Sequence, residues 1–168
     1  MVTIDRAVRI QPLTAAAFAP FGDVIALKPN PDLMINQGMC GRHHDLAALA
    51  FEDGGHAGIS LFDAVPRSLP YKLDMMERHP KGSQAFLPMH DAPFLVIVVT
   101  DDGGRPGRSQ AFLTPPQTGI NIYKNIWHGV LTPLKAPGAP GVFAVVDRIG
   151  ADINLEEYWF DDAYNVIE

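Results

Sequence analysis

The sequence predicts an all-β fold, a mainly antiparallel barrel or sandwich with a few short helices. Gly and Pro each occur 15 times in 168 residues, too dense a punctuation for long helices. Between the breaks stand apolar runs of strand length. The stretch 68–79 also alternates, with Leu69, Tyr71, Leu73 and Met75 two apart on one face.

Residues 14–18 read as a short helix with Thr14 as its cap. Residues 24–27 and 58–63 are strand-like, and 68–79 is the long alternating strand. A short strand at 84–89 follows the Pro80 and Gly82 break. The run 94–100 is apolar and rich in β-branched residues, so both its faces are expected to be buried. Asp101-Asp102-Gly103-Gly104 is a turn. Further strands are expected at 110–114, 119–123, 128–132 and 142–148, with an irregular loop at 135–141. The stretch 154–161 reads as a short helix or a last strand, with Glu156 and Glu157 on a solvated face. No repeat or linker divides the chain, so one domain over 1–168 is expected.

The net charge of −6 argues against a nucleic-acid partner. Cys40 is the single cysteine and has no internal disulfide partner, which fits a reducing compartment. Residues 1–13 lack the apolar core of a signal peptide, and the longest apolar run, 94–99, is too short to span a bilayer. The expectation is a cytoplasmic protein with no membrane partner.

Chemistry concentrates in two places. Glu77, His79 and Gln84 place a carboxylate, an imidazole and a carboxamide at offsets of zero, two and seven. On a strand, Glu77 and His79 share a face, in line with Leu73 and Met75. His128 can join them, giving two oxygen and two nitrogen donors. That set suits nickel, manganese, iron or zinc and leaves positions open for substrate. The alternative is a pair of hydrogen-bonded structural histidines, with Glu77 salt-bridged to Arg78 or Lys81. In the second cluster, Lys124 and His128 are four apart with Trp127 between them. The imidazole can move protons near neutral pH, and the lysine can hold an anion. Arg42, Arg78 and Arg148 are candidate forks for a carboxylate substrate, or else surface ion pairs. No phosphate loop, nucleophile elbow or paired thiols occur.

Several blocks together resemble the ureidoglycolate lyase family, formerly called hydrolases. They are Phe21-Gly22-Asp23-Val24-Ile25, Ile35-Asn36 with Arg42, and His44-Asp45-Leu46. Glu77-Arg78-His79-Pro80 and Ser83-Gln84-Ala85-Phe86-Leu87-Pro88-Met89 follow. Gly119-Ile120-Asn121, Trp127-His128 and Asp147-Arg148 complete the set, in the family's order. The resemblance implies a cupin-type β-barrel, cleavage of ureidoglycolate to glyoxylate and urea in allantoin degradation, and a homodimer. It also implies a divalent metal, nickel foremost, and no organic cofactor. Carried onto this chain, the metal ligands are Glu77, His79, Gln84 and His128. The catalytic set is Glu77, His79, Lys124 and His128, and the substrate-binding set is Arg42, Ser83, Asn121 and Arg148. The chain departs from the family's usual pattern at Ile122, Tyr123 and Lys124, where Tyr, His and Arg are common. It departs again at Gly129 and Val130, where His and Pro are common. Those departures keep open a related enzyme acting on another hydroxy or ureido acid, or a cupin that only binds a small molecule.

Overall fold

The computed structural model describes residues 6–134 and 141–168. The loop expected at 135–141 therefore lies, apart from Gly141, outside the described residues. In chain order the elements are β1 (Ala7–Pro12), α1 (Ala15–Phe18), β2 (Gly22–Ile25), β3 (Leu33–Ile35) and β4 (Cys40–Arg42). Then come β5 (Gly55–Asp63), β6 (Tyr71–Arg78), β7 (Gln84–Pro88), β8 (Phe94–Val99) and β9 (Gln110–Leu113). The remainder are β10 (Gly119–Ile122), β11 (Trp127–His128), β12 (Thr132–Pro133), β13 (Val142–Gly150) and β14 (Glu156–Ile167). The α1 cap is the expected one: Thr14 Oγ1 accepts the Ala17 N–H at 3.2 Å.

Six strands close into a ring, β11-β6-β14-β1-β9-β8, with β8 pairing back to β11. Closure removes the free edges that an open sheet would leave. The ring is antiparallel except at β1, which runs parallel to both β14 and β9. A second, wholly antiparallel sheet has the order β2-β10-β7-β13-β5. The hairpin β3–β4 stands apart from both.

Two apolar clusters hold these layers together. The first takes residues from every ring strand: Val8, Met76, Ile97, Ala111, Trp127 and Val166 among them. The second lies between ring and sheet, joining Phe94, Val96, Val98 and Phe112 to Phe86, Ile120, Ile122, Phe143 and Val145. Strand β8 serves both. Leu95, Ile97 and Val99 enter the first cluster, and Phe94, Val96 and Val98 the second, as its unbroken apolar run foretold. Each such fully buried side chain contributes about 1.5–3 kcal/mol.

Strand β6 departs from simple alternation. Tyr71, Leu73 and Met76 all join the ring cluster, so the phase slips by one residue between Leu73 and Met76. Opposite it, β14 carries a bulge between Trp159 and Tyr164. Glu77 therefore does not share a face with Tyr71 and Leu73, as unbroken alternation would have it. It lies on the opposite face, with the next turn's His79. The tail resolves as a strand, β14, and the stretch 128–132 splits between β11 and β12.

Residues 48–53 run over the far face of the second sheet. Ala48 N–H donates to Asp23 Oδ2 at 2.9 Å, and Ala50 N–H to Ser83 Oγ at 2.9 Å. Glu52 N–H donates to Lys81 O at 2.9 Å. Among the described residues no helix is long and apolar enough to cross a membrane.

Candidate metal centre

Strand β11 is short, and its two residues face opposite ways. Trp127 enters the ring cluster, which turns His128 to the other side. His128 sits directly across from Glu77 in the β11–β6 pair. His79 lies just past β6, where its carbonyl accepts the Asn125 N–H at 2.9 Å. The ligand atoms of Glu77, His79 and His128 lie within 4.8 Å of one another. The two imidazole centroids are 5.3 Å apart.

The hydrogen bonds fix both tautomers. His79 Nδ1 lies 2.7 Å from Asn154 O, and His128 Nδ1 lies 3.0 Å from Gly129 O. A carbonyl can only accept, so each Nδ1 carries the proton and each Nε2 presents a bare lone pair. Both Nε2 atoms are buried and have no hydrogen-bond partner among the described residues. Two unsatisfied imidazole nitrogens beside a carboxylate are costly unless a ligand takes them. Three such donors match a catalytic metal site with open positions, and the backbone carbonyls behind the rings are the usual outer support. Burial, followed by repulsion from His79, drops the His128 pKa to about 3, so His128 is neutral at ordinary pH. Burial also pushes the Glu77 carboxyl up; His79 pulls it down, and Glu157 across the strand pair raises it further.

The reverse side of the same strands is braced. The Arg78 guanidinium stacks on the Trp127 ring, 4.4 Å from its centroid. Asp101 Oδ1 accepts from Arg78 Nη1 at 2.8 Å and from Trp127 Nε1 at 2.8 Å. Arg78 Nε reaches Glu156 at 2.7 Å. Arg78 stands between Glu77 and His79, and Trp127 adjoins His128, so this network ties the three donors to one frame.

Gln84 lies on the facing sheet. It shares its face with Phe86, two residues on, and its strand partner Ile122 packs in the inter-sheet cluster. Gln84 Nε2 donates to Asp147 Oδ2 at 3.2 Å. Asp147 follows Phe143 and Val145 on the inward face of β13. That alternation is the sequence signal for its placement.

The expected substrate-binding residues lie elsewhere. Asn121 sits between the inward Ile120 and Ile122, so it faces outward; its Nδ2 donates to Asp23 Oδ2 and Ala48 O, both at 3.1 Å. Ser83 is tied to Ala50. Arg148 donates through Nε to Glu52 O at 3.0 Å, through Nη2 to Asp53 O at 2.9 Å, and to both oxygens of Asp152. Those bonds from Arg148, and then Lys81, hold the Asp152 carboxyl well below the usual carboxylate range. Arg42 is exposed on the β3–β4 hairpin. Lys124 is half-exposed and pairs with Glu52 at 2.7 Å; its loop is tethered to His79 through Asn125. Ile122, one of the departures, is core.

Similarity to known proteins runs along nearly the whole chain. The family model for ureidoglycolate lyase matches residues 5–167. A ureidoglycolate lyase of Rhodobacter capsulatus is 62% identical over 149 residues, covering 89% of this chain and 91% of its own length. One from Agrobacterium fabrum is 48% identical over 160 residues, covering 95% of each chain. One from Rhizobium etli is 49% identical, again covering 95% of each. With a barrel of this kind, a two-histidine and carboxylate cluster at its wall, and matches of this extent, the chain belongs to the ureidoglycolate lyase family.

Proposed function

We propose that this protein cleaves ureidoglycolate to glyoxylate and urea, within allantoin degradation, as a cytoplasmic homodimer in which residues 1–168 act as one domain. The observation that carries the reading is the pair of buried, unpartnered Nε2 atoms beside Glu77. Glu77, His79 and His128 are the residues that would hold a divalent ion, with nickel the one the family resemblance implies. Once bound, the ion supplies positive charge that stabilises an alkoxide and a carboxylate.

The substrate is a carbinolamide, one carbon bearing hydroxyl, carboxylate and ureido nitrogen. The hydroxyl gives up its proton, the oxygen electrons form the carbonyl, and the carbon–nitrogen bond breaks. The departing nitrogen takes a proton and leaves as urea. One proton moves in all, so a single group can accept it and return it. Glu77 suits that task because its carboxylate lies beside both imidazoles and has two oxygens, one to hold the ion and one to take and return the proton. His128, held neutral, keeps its lone pair available. Lys124 is the cation we assign to the substrate carboxylate, since its loop is anchored to His79 and its present partner, Glu52, is exposed. The dimer reading draws on β5, an edge strand whose Ile59 and Leu61 are 78% and 67% exposed.

The test is metal analysis of the purified protein beside a glyoxylate-release assay. Folded Glu77→Ala and His128→Ala variants should lose both the ion and turnover. Metal-loaded protein that releases no glyoxylate above spontaneous breakdown overturns the reading. Thermal stabilisation by ligand without turnover would show a binding protein instead.

A further inference from the structure

We propose that Gln84 and Asp147 form the subsite for the ureido group, a pair of oxygen acceptors that takes its N–H donors. The inference rests on the function proposed above and names the part of the substrate this pair reads.

Gln84 is only 6% exposed. Its Nε2 donates to Asp147 Oδ2 at 3.2 Å. A carboxylate can only accept, so the amide nitrogen must face Asp147 and Gln84 Oε1 must turn away. Gln84 Oε1 and Asp147 Oδ1 are both buried, and neither has a partner among the described residues. Two orphaned acceptors on one hydrogen-bonded pair call for donors, because an unsatisfied one is expensive to bury. A carboxylate would be repelled there and a hydrocarbon would leave both oxygens unsatisfied. A carbamoyl or ureido group presents N–H donors from adjacent atoms.

Placement supports the assignment. Ile122, the strand partner of Gln84, and Phe86, its next neighbour on the same face, line the same small cavity as His128. The pair thus lies on the sheet facing the metal cluster. Holding the ureido N–H groups there would present the carbon–nitrogen bond to Glu77 and His128. Gln84, expected from sequence as a fourth metal ligand, then gives its oxygen to the substrate.

The discriminating variant is Asp147→Asn, which preserves shape. Whichever way the two amides settle, one inward oxygen becomes an NH2 group. Calorimetry on metal-loaded wild type and variant would compare N-carbamoylglycine, which carries ureido and carboxylate, with glycolate, which lacks the ureido group. The expected result is about a tenfold loss of N-carbamoylglycine affinity, the scale of one hydrogen bond to a charged group. Glycolate and metal affinities should stay within about twofold, a margin well inside one hydrogen bond. Gln84→Met should give the same pattern, and thermal melts check that both variants fold. Equal losses for both ligands, an unchanged N-carbamoylglycine affinity, no N-carbamoylglycine binding by wild type, or metal lost along with ligand would each overturn the subsite. If N-carbamoylglycine discrimination holds in a wild type that releases no glyoxylate, the lyase reading falls and the subsite stands. If glyoxylate is released but Asp147→Asn leaves N-carbamoylglycine binding intact, the subsite alone falls.

Discussion

Replacing Arg148 with methionine separates a structural arginine from a substrate anchor. The side chain is 0% exposed, and Asp152, its ionic partner, is 41% exposed. Its donors hold Glu52 O, Asp53 O and both Asp152 oxygens at 2.9–3.3 Å. Methionine keeps most of the apolar stem but none of these bonds. The substitution removes the buried charge itself, so the loss is that of its hydrogen bonds, which are worth about 1.5–3 kcal/mol each to or from a charged group. Asp152 is partly hydrated and the two carbonyls can take up water, so the net cost is about 3 kcal/mol. For a chain of this length that lowers Tm by roughly 6–12 °C. Urea unfolding and scanning calorimetry measure the loss. In the fraction that stays folded, KM should remain within about threefold of wild type, because only losing a substrate contact would move it by an order of magnitude. A tenfold rise in KM with an unchanged melting temperature would refute the reasoning and make Arg148 the carboxylate anchor after all.

Arg78→Lys keeps the charge but loses the planar stack on Trp127 and the fork to Asp101 and Glu156. Metal affinity, read by chelator competition, should fall about tenfold, the size of a lost outer-shell support, while the far-ultraviolet spectrum stays constant. In metal-free protein, His128 has a folded pKa of about 3, whereas the unfolded ring titrates near its ordinary value of about 6.5. The unfolded chain therefore binds the extra proton, and stability drops as pH falls below about 6.5 toward 3, by up to about 1.4 kcal/mol per pH unit. Glu77, pushed up by burial, contributes the opposite slope above its unfolded value. Urea midpoints of wild type and His128→Gln should diverge across that window, and parallel curves would contradict the burial account. In Gly22→Ala the new Cβ would meet Asn121 O at 1.8 Å. A cost of about 2–3 kcal/mol in urea unfolding is expected, and a neutral substitution would disprove the tight β2–β10 approach.

Periodicity made some of this legible in advance and left the rest dark. The six apolar residues of β8 announced burial on both faces, and the two-residue spacing of Glu77 and His79 announced a shared direction. Which direction was not readable, because β6 slips phase between Leu73 and Met76, where its register with β14 shifts. Likewise, Asn121, Ser83 and Arg148 carry donor chemistry that suits a substrate. Their faces are sealed by residues 48–53, through contacts far apart in sequence that no local pattern encodes. Strand β1 was missed because Ala7–Pro12 is short and ends in proline; its partners β9 and β14 lie far along the chain. Asp147 is the opposite case, since its alternation with the inward Phe143 and Val145 marks its face in the sequence itself.

The parallel seat of β1 between β9 and β14 bears on how the molecule is made. An early-synthesised segment must wait for residues 165–167 before one of its two neighbours exists. The hoop cannot be completed while β14 is still within the ribosome, and such long-range pairing is intrinsically slow. Trimming β14 would therefore do more than shorten a tail: it would leave β1 and β6 with raw margins, open to pairing with other nascent chains.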